Sequence, residues 1–338
     1  MKHVSELLPA TVEPKAITPI QKRLIETVER NVRCTTVPVR LYQHTVLCQT
    51  SLPYRDPGED VRTWERTNGN VYLKVKAGEA FHPGERRYIP FGLPFGPKAR
   101  LVLMHLNQRA LINQNPRIEV EDSLTAFTRD VLGLGKNGRN VHAIKNQLAR
   151  LQVSDISLAA CYRDGDGDRA EVDRVNVIRG FDVWCPKDPR QRVLWSSTID
   201  LSLDYYASLL SYAVPLVEAH IVALSHSSLA LDIYSWLAQR LHRIPMNESV
   251  HVSWTALHGQ FGQGYSGERG IRKFRQVFRV GLSQVLALYR DAKVVDEEEQ
   301  RPVMVAQSGH SVWREQPAQG LTLCHSKPPV PPRLYPVL

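Results

Sequence analysis

The sequence predicts an α+β fold, mainly helical, in which one pattern of elements is used twice. The pattern is a long apolar-striped helix, a short β-like run, a short helix, a basic amphipathic helix and a strand hairpin. It runs from about Pro97 to Asp182 and again from about Leu216 to Gln307. The second basic helix sorts its residues cleanly by face, and the chain carries a formal net charge of +9 over 338 residues. That element order is the grammar of a winged helix-turn-helix, which lays one helix in a DNA groove. Tandem winged helix-turn-helix modules with small β hairpins are therefore expected.

The elements follow in chain order. Residues 1 to about 17 read as a flexible segment. Thr18-Pro19 starts a helix to about Val32, with Ile20, Leu24, Ile25 and Val28 on one side. Residues 38 to 95 are rich in proline, glycine and aromatics. Asn68-Gly69, ahead of Val71-Tyr72-Leu73-Lys74-Val75, signals a hairpin in a small β-rich portion packed on the first module. Pro97 to Asn113 reads as a helix with Leu101, Met104, His105 and Ala110 on its mostly apolar side, closed by Asn115-Pro116. Ile118 to Val120 is strand-like, Ser123 suits the cap of a helix ending near Leu132, and Gly133 to Gly138 is a basic turn. The helix from Arg139 to Gln152 is expected to bury Val141, Ile144, Leu148 and Leu151 and to present Arg139, His142, Asn146 and Arg150 to DNA or phosphate. Dimerisation or core packing is the plainer role for that helix. The division expected is an N-terminal segment 1–37, a first module 38–182, a linking and packing segment 183–215, a second module 216–310 and a proline-rich tail 311–338.

In the second module, His251 to Trp254 reads as a strand, Thr255 to Phe261 as a short helix and Gly262 to Gly267 as the turn between helices. On a 3.6-residue wheel, Arg269, Arg272, Lys273, Gln276, Arg279, Ser283 and Gln284 gather on one side. Ile271, Phe274, Phe278, Leu282 and Val285 gather on the other. The apolar side needs a core. The guanidinium and amide groups opposite suit contacts to guanine and adenine edges and to phosphates. The commoner fate of such a basic face is plain solvation, so the preceding strand, helix and turn carry the inference.

Composition bounds the rest. An apolar content of 43% with 8% aromatics suits packed domains. The basic excess favours polyanionic partners, nucleic acid or an acidic membrane surface. No apolar run approaches the ~20 residues that span a bilayer, and the Met1-Lys2-His3-Val4-Ser5-Glu6 start lacks the apolar region of a signal peptide. The five cysteines, Cys34, Cys48, Cys161, Cys185 and Cys324, contain no CxxC pair and read as reduced thiols of a cytoplasmic protein. The expected inventory holds no metal and no cofactor.

Several motifs point to chemistry and are set aside. Asp164-Gly-Asp-Gly-Asp168 starts like a calcium loop, but Arg169 and Val175 stand where that loop needs glycine and glutamate, so a hairpin turn is expected. Gly262-Gln-Gly264-Tyr-Ser-Gly267 matches GxGxxG without the preceding buried strand of a βαβ unit. Tyr205-Tyr206 has no His-x-His partner of the kind a nicking enzyme uses, and reads as core. His220 and His226, six apart, miss the i, i+4 spacing of a helical metal pair.

Five blocks resemble the plasmid-encoded RepA-type replication initiators of bacteria: Ser51-Leu-Pro-Tyr-Arg-Asp-Pro-Gly58, Gly92-Leu-Pro-Phe-Gly-Pro-Lys-Ala-Arg100, Gly180-Phe-Asp-Val-Trp-Cys-Pro-Lys-Asp-Pro-Arg190, Ala230-Leu-Asp-Ile-Tyr-Ser-Trp-Leu-Ala-Gln-Arg240 and Trp254-Thr-Ala-Leu-His-Gly-Gln-Phe-Gly-Gln-Gly264. The resemblance implies a non-enzymatic protein that binds double-stranded DNA at a plasmid origin and recruits host replication initiator and helicase machinery. Monomer and homodimer both remain open. Two departures stand out: no sustained N-terminal heptad is present, and the acidic Asp296-Glu-Glu-Glu299 makes the second hairpin a poor phosphate contact. A winged-helix transcriptional repressor is the alternative binding function, and a nicking endonuclease the enzymatic one.

Overall fold

The computed structural model describes residues 17–33, 38–82, 85–119, 126, 128, 138–164, 167–171, 177–181, 198–297, 304–307, 310–313 and 319–330. The fold is α+β, with small antiparallel sheets set around a helical centre. The expected Ser123 cap and Gly133 to Gly138 turn lie essentially outside the described residues, as do the first sixteen residues.

The first helix, Pro19–Arg33, starts with a reciprocal cap: the Gln21 amide donates to Thr18 Oγ1 (3.2 Å) and the Thr18 amide to Gln21 Oε1 (2.9 Å). It buries Leu24 and Thr27 but leaves Ile20 and Ile25 exposed. The hairpin Thr63–Asn68 with Val71–Lys76 is present, and its two-residue loop is Gly69-Asn70, with Gly69 at φ +56°.

The helix Gly96–Asn113 is the centre of the molecule. Every residue from Ala99 to Gln108 is buried, so the one-sided stripe expected from the sequence is replaced by burial all round. The cause is cover on several sides: the strand Arg40–His44 and the helices Gly138–Val153, Leu203–Tyr212 and Ser228–Arg240 all pack on it. Its buried amides are satisfied by that strand, with Asn107 donating to Tyr42 O (3.1 Å) and Gln108 to Arg40 O (2.7 Å). Gln114, at φ +50°, ends it.

Strand partners differ from those expected of local hairpins. Asp155–Asp164 does pair with Gly167–Glu171, with Asp164 opposite Gly167, but its other edge joins Val71–Lys76 in a four-stranded sheet. Arg117–Glu119 pairs with Thr198–Leu201, which in turn pairs with Ile178–Phe181. The segment read as a link between modules thus supplies a sheet strand, the helix Leu203–Tyr212 and the strand Ala213–Val217, which pairs with Arg40–His44.

The helix expected from about Leu216 is a correction. Ala213–Val217, with Pro215 opposite Tyr42, is extended. A short helix Glu218–Leu224 follows, and Ser227 caps a new one, Ser228–Arg240, by accepting from the Ala230 amide at 3.2 Å. Beyond it come the strand Ser249–Ser253, the helix Trp254–Phe261 and the helix Gly267–Leu288. A second correction concerns the closing hairpin. Val294–Asp296 pairs with Gly320–Cys324, the middle strand of a sheet whose other edge is Ser249–Ser253. Met304–Gln307 pairs instead with His310–Trp313. The strand at 320–324 falls inside the stretch read as a tail. It wins the central place because Leu321 and Leu323 are fully buried there. One continuous apolar cluster runs from Leu24 through Leu106, Leu148 and Tyr234 to Leu323.

Candidate nucleic-acid interface

Local chemistry delivers the second basic helix. Ser253 Oγ accepts from the Ala256 amide (3.2 Å) and starts Trp254–Phe261. Its end is held by the Gly262 amide on His258 O (2.7 Å) and by His258 Nε2, which donates to Tyr265 O (2.7 Å). A Cβ at Gly262 would lie 2.5 Å from His258 O, so only glycine fits this turn. The GxGxxG run is therefore an inter-helix turn, ending at Gly267 with φ +67°.

The helix Gly267–Leu288 buries Phe274, Phe278, Leu282 and Val285, while Ile271 is half-buried. Trp254 meets Phe278 edge-on at 5.7 Å, and Phe261 packs 5.5 Å from Phe278. Aromatic packing of this kind fixes the roll of the helix about its axis. On the opposite side Arg269, Arg272, Lys273 and Gln276 are exposed, at i, i+3, i+4 and i+7, a row ~10 Å long. Arg279, expected in the same row, is committed elsewhere. Its Nε and Nη2 donate to the two Asp296 carboxylate oxygens (2.6 and 3.1 Å), and its guanidinium lies 5.2 Å from the Trp254 ring centre. Gln284 is engaged with His226 (3.2 Å).

The first basic helix, Gly138–Val153, buries Ile144, Leu148 and Leu151 as expected, and Val141 partly. His142 is exposed. The Arg139 side chain lies outside the described residues. Asn146 and Arg150 face inward: Arg150 donates from Nε to Asn146 Oδ1 (2.9 Å), from Nη1 to Leu93 O (2.9 Å) and from Nη2 to Asp56 Oδ2 (3.2 Å). Its guanidinium also sits 4.9 Å from the Phe95 ring centre, and its side chain is 14% exposed.

Sequence reasoning missed the residues that hold the frame. Arg100 and Asp232 form a buried two-point ion pair (Nε–Oδ1 2.6 Å, Nη2–Oδ2 2.7 Å), and Arg100 also donates to Leu52 O (2.8 Å) and Gly96 O (2.9 Å). Burial pushes the Asp232 carboxyl upward, and the adjacent guanidinium pulls it back. Gln263 Nε2 donates to Ser51 Oγ (2.6 Å), and Gln260 Nε2 to Gln49 O (2.8 Å). Four of the five resemblance blocks therefore meet in one polar knot. A visible signal existed: Asp232 interrupts an apolar helix, and a buried carboxylate needs a cation.

Other candidate chemistry resolves into structure. Tyr205 is buried and donates to Asn107 Oδ1 (2.9 Å). His220 lies in the short helix 218–224 beside the Tyr234 hydroxyl (3.0 Å), whereas His226 lies past that helix's end. Ser208 Oγ sits 3.0 Å from His44 Nε2, next to a cavity of about 350 Å³. His44 Nδ1 accepts the Val46 amide, so its proton resides on Nε2 and points at the serine. Burial further lowers that imidazole to about 4. The pair is thus poorly set to deprotonate Ser208. Among the described residues, no group of three or more His, Cys, Asp and Glu side chains could hold a metal ion, and no helix is long and apolar enough to cross a membrane.

Residues 93–256 match the model of a family described as plasmid encoded RepA protein. No curated protein sequence matches the chain. Among solved structures, a crystal structure of domains 2 and 3 of RctB, solved from selenomethionine derivatives, is 11% identical with a TM-score of 0.46, covering 84% of this chain and 99% of that one. A second structure of RctB domains 2–3 is 10% identical with a TM-score of 0.44, covering 83% and 96%.

Proposed function

We propose that the chain, whose residues 93–256 match the model of a family described as plasmid encoded RepA protein, is a plasmid replication initiator that acts by binding duplex origin DNA and recruiting host initiator and helicase machinery. Each module works as a winged helix-turn-helix. In the second, the order of helix Ser228–Arg240, strand Ser249–Ser253, helices Trp254–Phe261 and Gly267–Leu288, and strands Val294–Asp296 and Gly320–Cys324 supports this reading.

The observation that carries DNA contact is the exposed row Arg269, Arg272, Lys273 and Gln276, on a helix whose other face is clamped by aromatic packing. Rigid guanidinium and amide groups on one helix face are the usual readers of base edges. The second helix reads sequence. The first, with His142 exposed beside the Arg139 position, contacts the backbone.

The test is to supply the gene in trans to a replicon that carries only the adjacent non-coding DNA. Autonomous replication is the expected result. Repression of a reporter without replication would replace the initiator with a repressor. Metal-dependent nicking of the same supercoiled DNA would replace it with an endonuclease.

A further inference from the structure

The first basic helix and the turn before the second each hold one short segment, Ser51–Gly58, by a side chain. Ser51–Pro53 is tied to other elements through its carbonyls, and the exposed residues beyond it carry a local turn at Asp56. The Trp64 indole donates to Ser51 O (2.8 Å), Arg100 donates to Leu52 O, the Gly96 amide donates to Pro53 O (2.9 Å), and the Gly58 amide donates to Asp56 Oδ1 (3.2 Å). Gln263, in the turn that launches the second basic helix, grips its first half: Nε2 donates to Ser51 Oγ and Leu52 O, and Oε1 accepts from the Tyr54 amide (3.3 Å). Arg150, on the first basic helix, grips its second half through Asp56. Tyr54 and Asp56 are two residues apart, ~7 Å of extended chain. In addition to their packing in the core, both helices therefore hold nearly the same point of this segment.

We propose that Ser51–Gly58 is a strut that sets the spacing between the two DNA segments contacted by the two modules, with Asp56 and Gln263 as positioning residues. The inference rests on the reading that both modules bind duplex DNA. Two modules held rigidly act as one bivalent binder at a single matched spacing, and loosening the link costs affinity at that spacing while relaxing the preference for it. Since DNA turns once in ~10.5 base pairs, five added base pairs put the second segment on the opposite face.

The experiment takes a duplex selected from random sequence by the full-length protein, maps its protected segments by footprinting, and inserts two, five or ten base pairs between them. For the unaltered protein, the five-base-pair insert is expected to cost about tenfold or more in affinity. For the double variant Asp56→Ala, Gln263→Ala, affinity for the uninterrupted site falls about tenfold and the insert costs less than about threefold. Asp56→Glu alone, which keeps a carboxylate for Arg150, behaves as the unaltered protein. Thermal melting is followed in parallel. If the double variant does not fold, Asp56→Ala carries the test alone, because that side chain is 45% exposed. A double variant that folds and retains the full penalty for the insert overturns the strut while leaving DNA binding in place. An unaltered protein that protects one segment only overturns the strut together with the role given to the first module. An unaltered protein that selects no duplex overturns the proposed function itself.

Discussion

Arg272 and Arg279 stand on one helix, seven residues apart, and have different fates. Arg272 is exposed, whereas Arg279 is spent on Asp296 and the Trp254 ring. Arg272→Ala is expected to leave the melting transition nearly unchanged and to weaken duplex binding. Arg279→Ala should cost up to ~1 kcal/mol of stability, as a partly exposed ion pair does. Phe274→Ala, which empties a fully buried site, should cost ~3–5 kcal/mol. Chemical denaturation of the three variants checks the order, and equal losses for Arg272→Ala and Phe274→Ala would show that the faces are assigned wrongly. The helix wheel made Arg272 legible, but no wheel shows that Asp296, across a turn, takes Arg279 out of the row. Arg150 is likewise engaged by Leu93 and Asp56, which are remote in sequence and invisible to a wheel. Histidines supply a separate test. Burial holds His44, His105 and His220 at about 4, below the 6.5 of an unfolded histidine. Their contribution is full above pH 6.5 and is lost as pH falls toward 4, because the unfolded chain takes up protons first. Denaturation midpoints should therefore drop between pH 6.5 and 4, and replacing His220 by Gln should flatten that slope.

At the scale of elements, legibility tracked distance along the chain. The helices Pro19–Arg33, Gly138–Val153 and Gly267–Leu288 declare themselves by apolar period and turn residues that lie within them. The hairpin at Gly69-Asn70 does so as well. Sheet partners did not. Gly320–Cys324 alternates buried and half-buried residues only from Leu321 to Cys324, and its partners lie at 249–253 and 294–296, so no local signal announces it. The strand carries weight all the same. Cutting the chain after residue 310 removes Leu321 and Leu323 from the core and both ladders from the sheet. The expected cost exceeds ~5 kcal/mol, comparable with the whole stability of a domain. A truncated chain that melts as cooperatively as the full one would disprove that role. Gly281 shows a similar dependence between elements. A Cβ there would meet Ile233 Cδ1 at 3.2 Å, so glycine lets the basic helix approach Ser228–Arg240 closely.

The whole molecule combines a net charge of +9 with an exposed cationic row, which makes salt the sharpest probe of the proposed function. If Arg269, Arg272 and Lys273 each displace a counterion from a phosphate, the logarithm of affinity should fall against that of salt with a slope of about −3 or steeper. Anisotropy titrations on a duplex at several salt concentrations measure it, and a slope shallower than about −1 would count against phosphate contact by this row. Competition between origin and scrambled duplexes adds the second axis. Gln276→Ala should reduce the preference for origin, since a lost base-edge contact is worth ~1–3 kcal/mol of discrimination. The pairing of Arg40–His44 with Ala213–Val217 bears on something else: time. On a ribosome adding ~5–20 residues per second, Arg40 waits ~10–35 s for Val217 to be made. Through that interval Leu41, which is wholly covered in the finished protein, has no partner strand, and an unpaired strand edge is sticky. The nascent chain thus spends tens of seconds in its most aggregation-prone form, and slow translation before residue 217 should lower the yield of active protein more than slow translation after it.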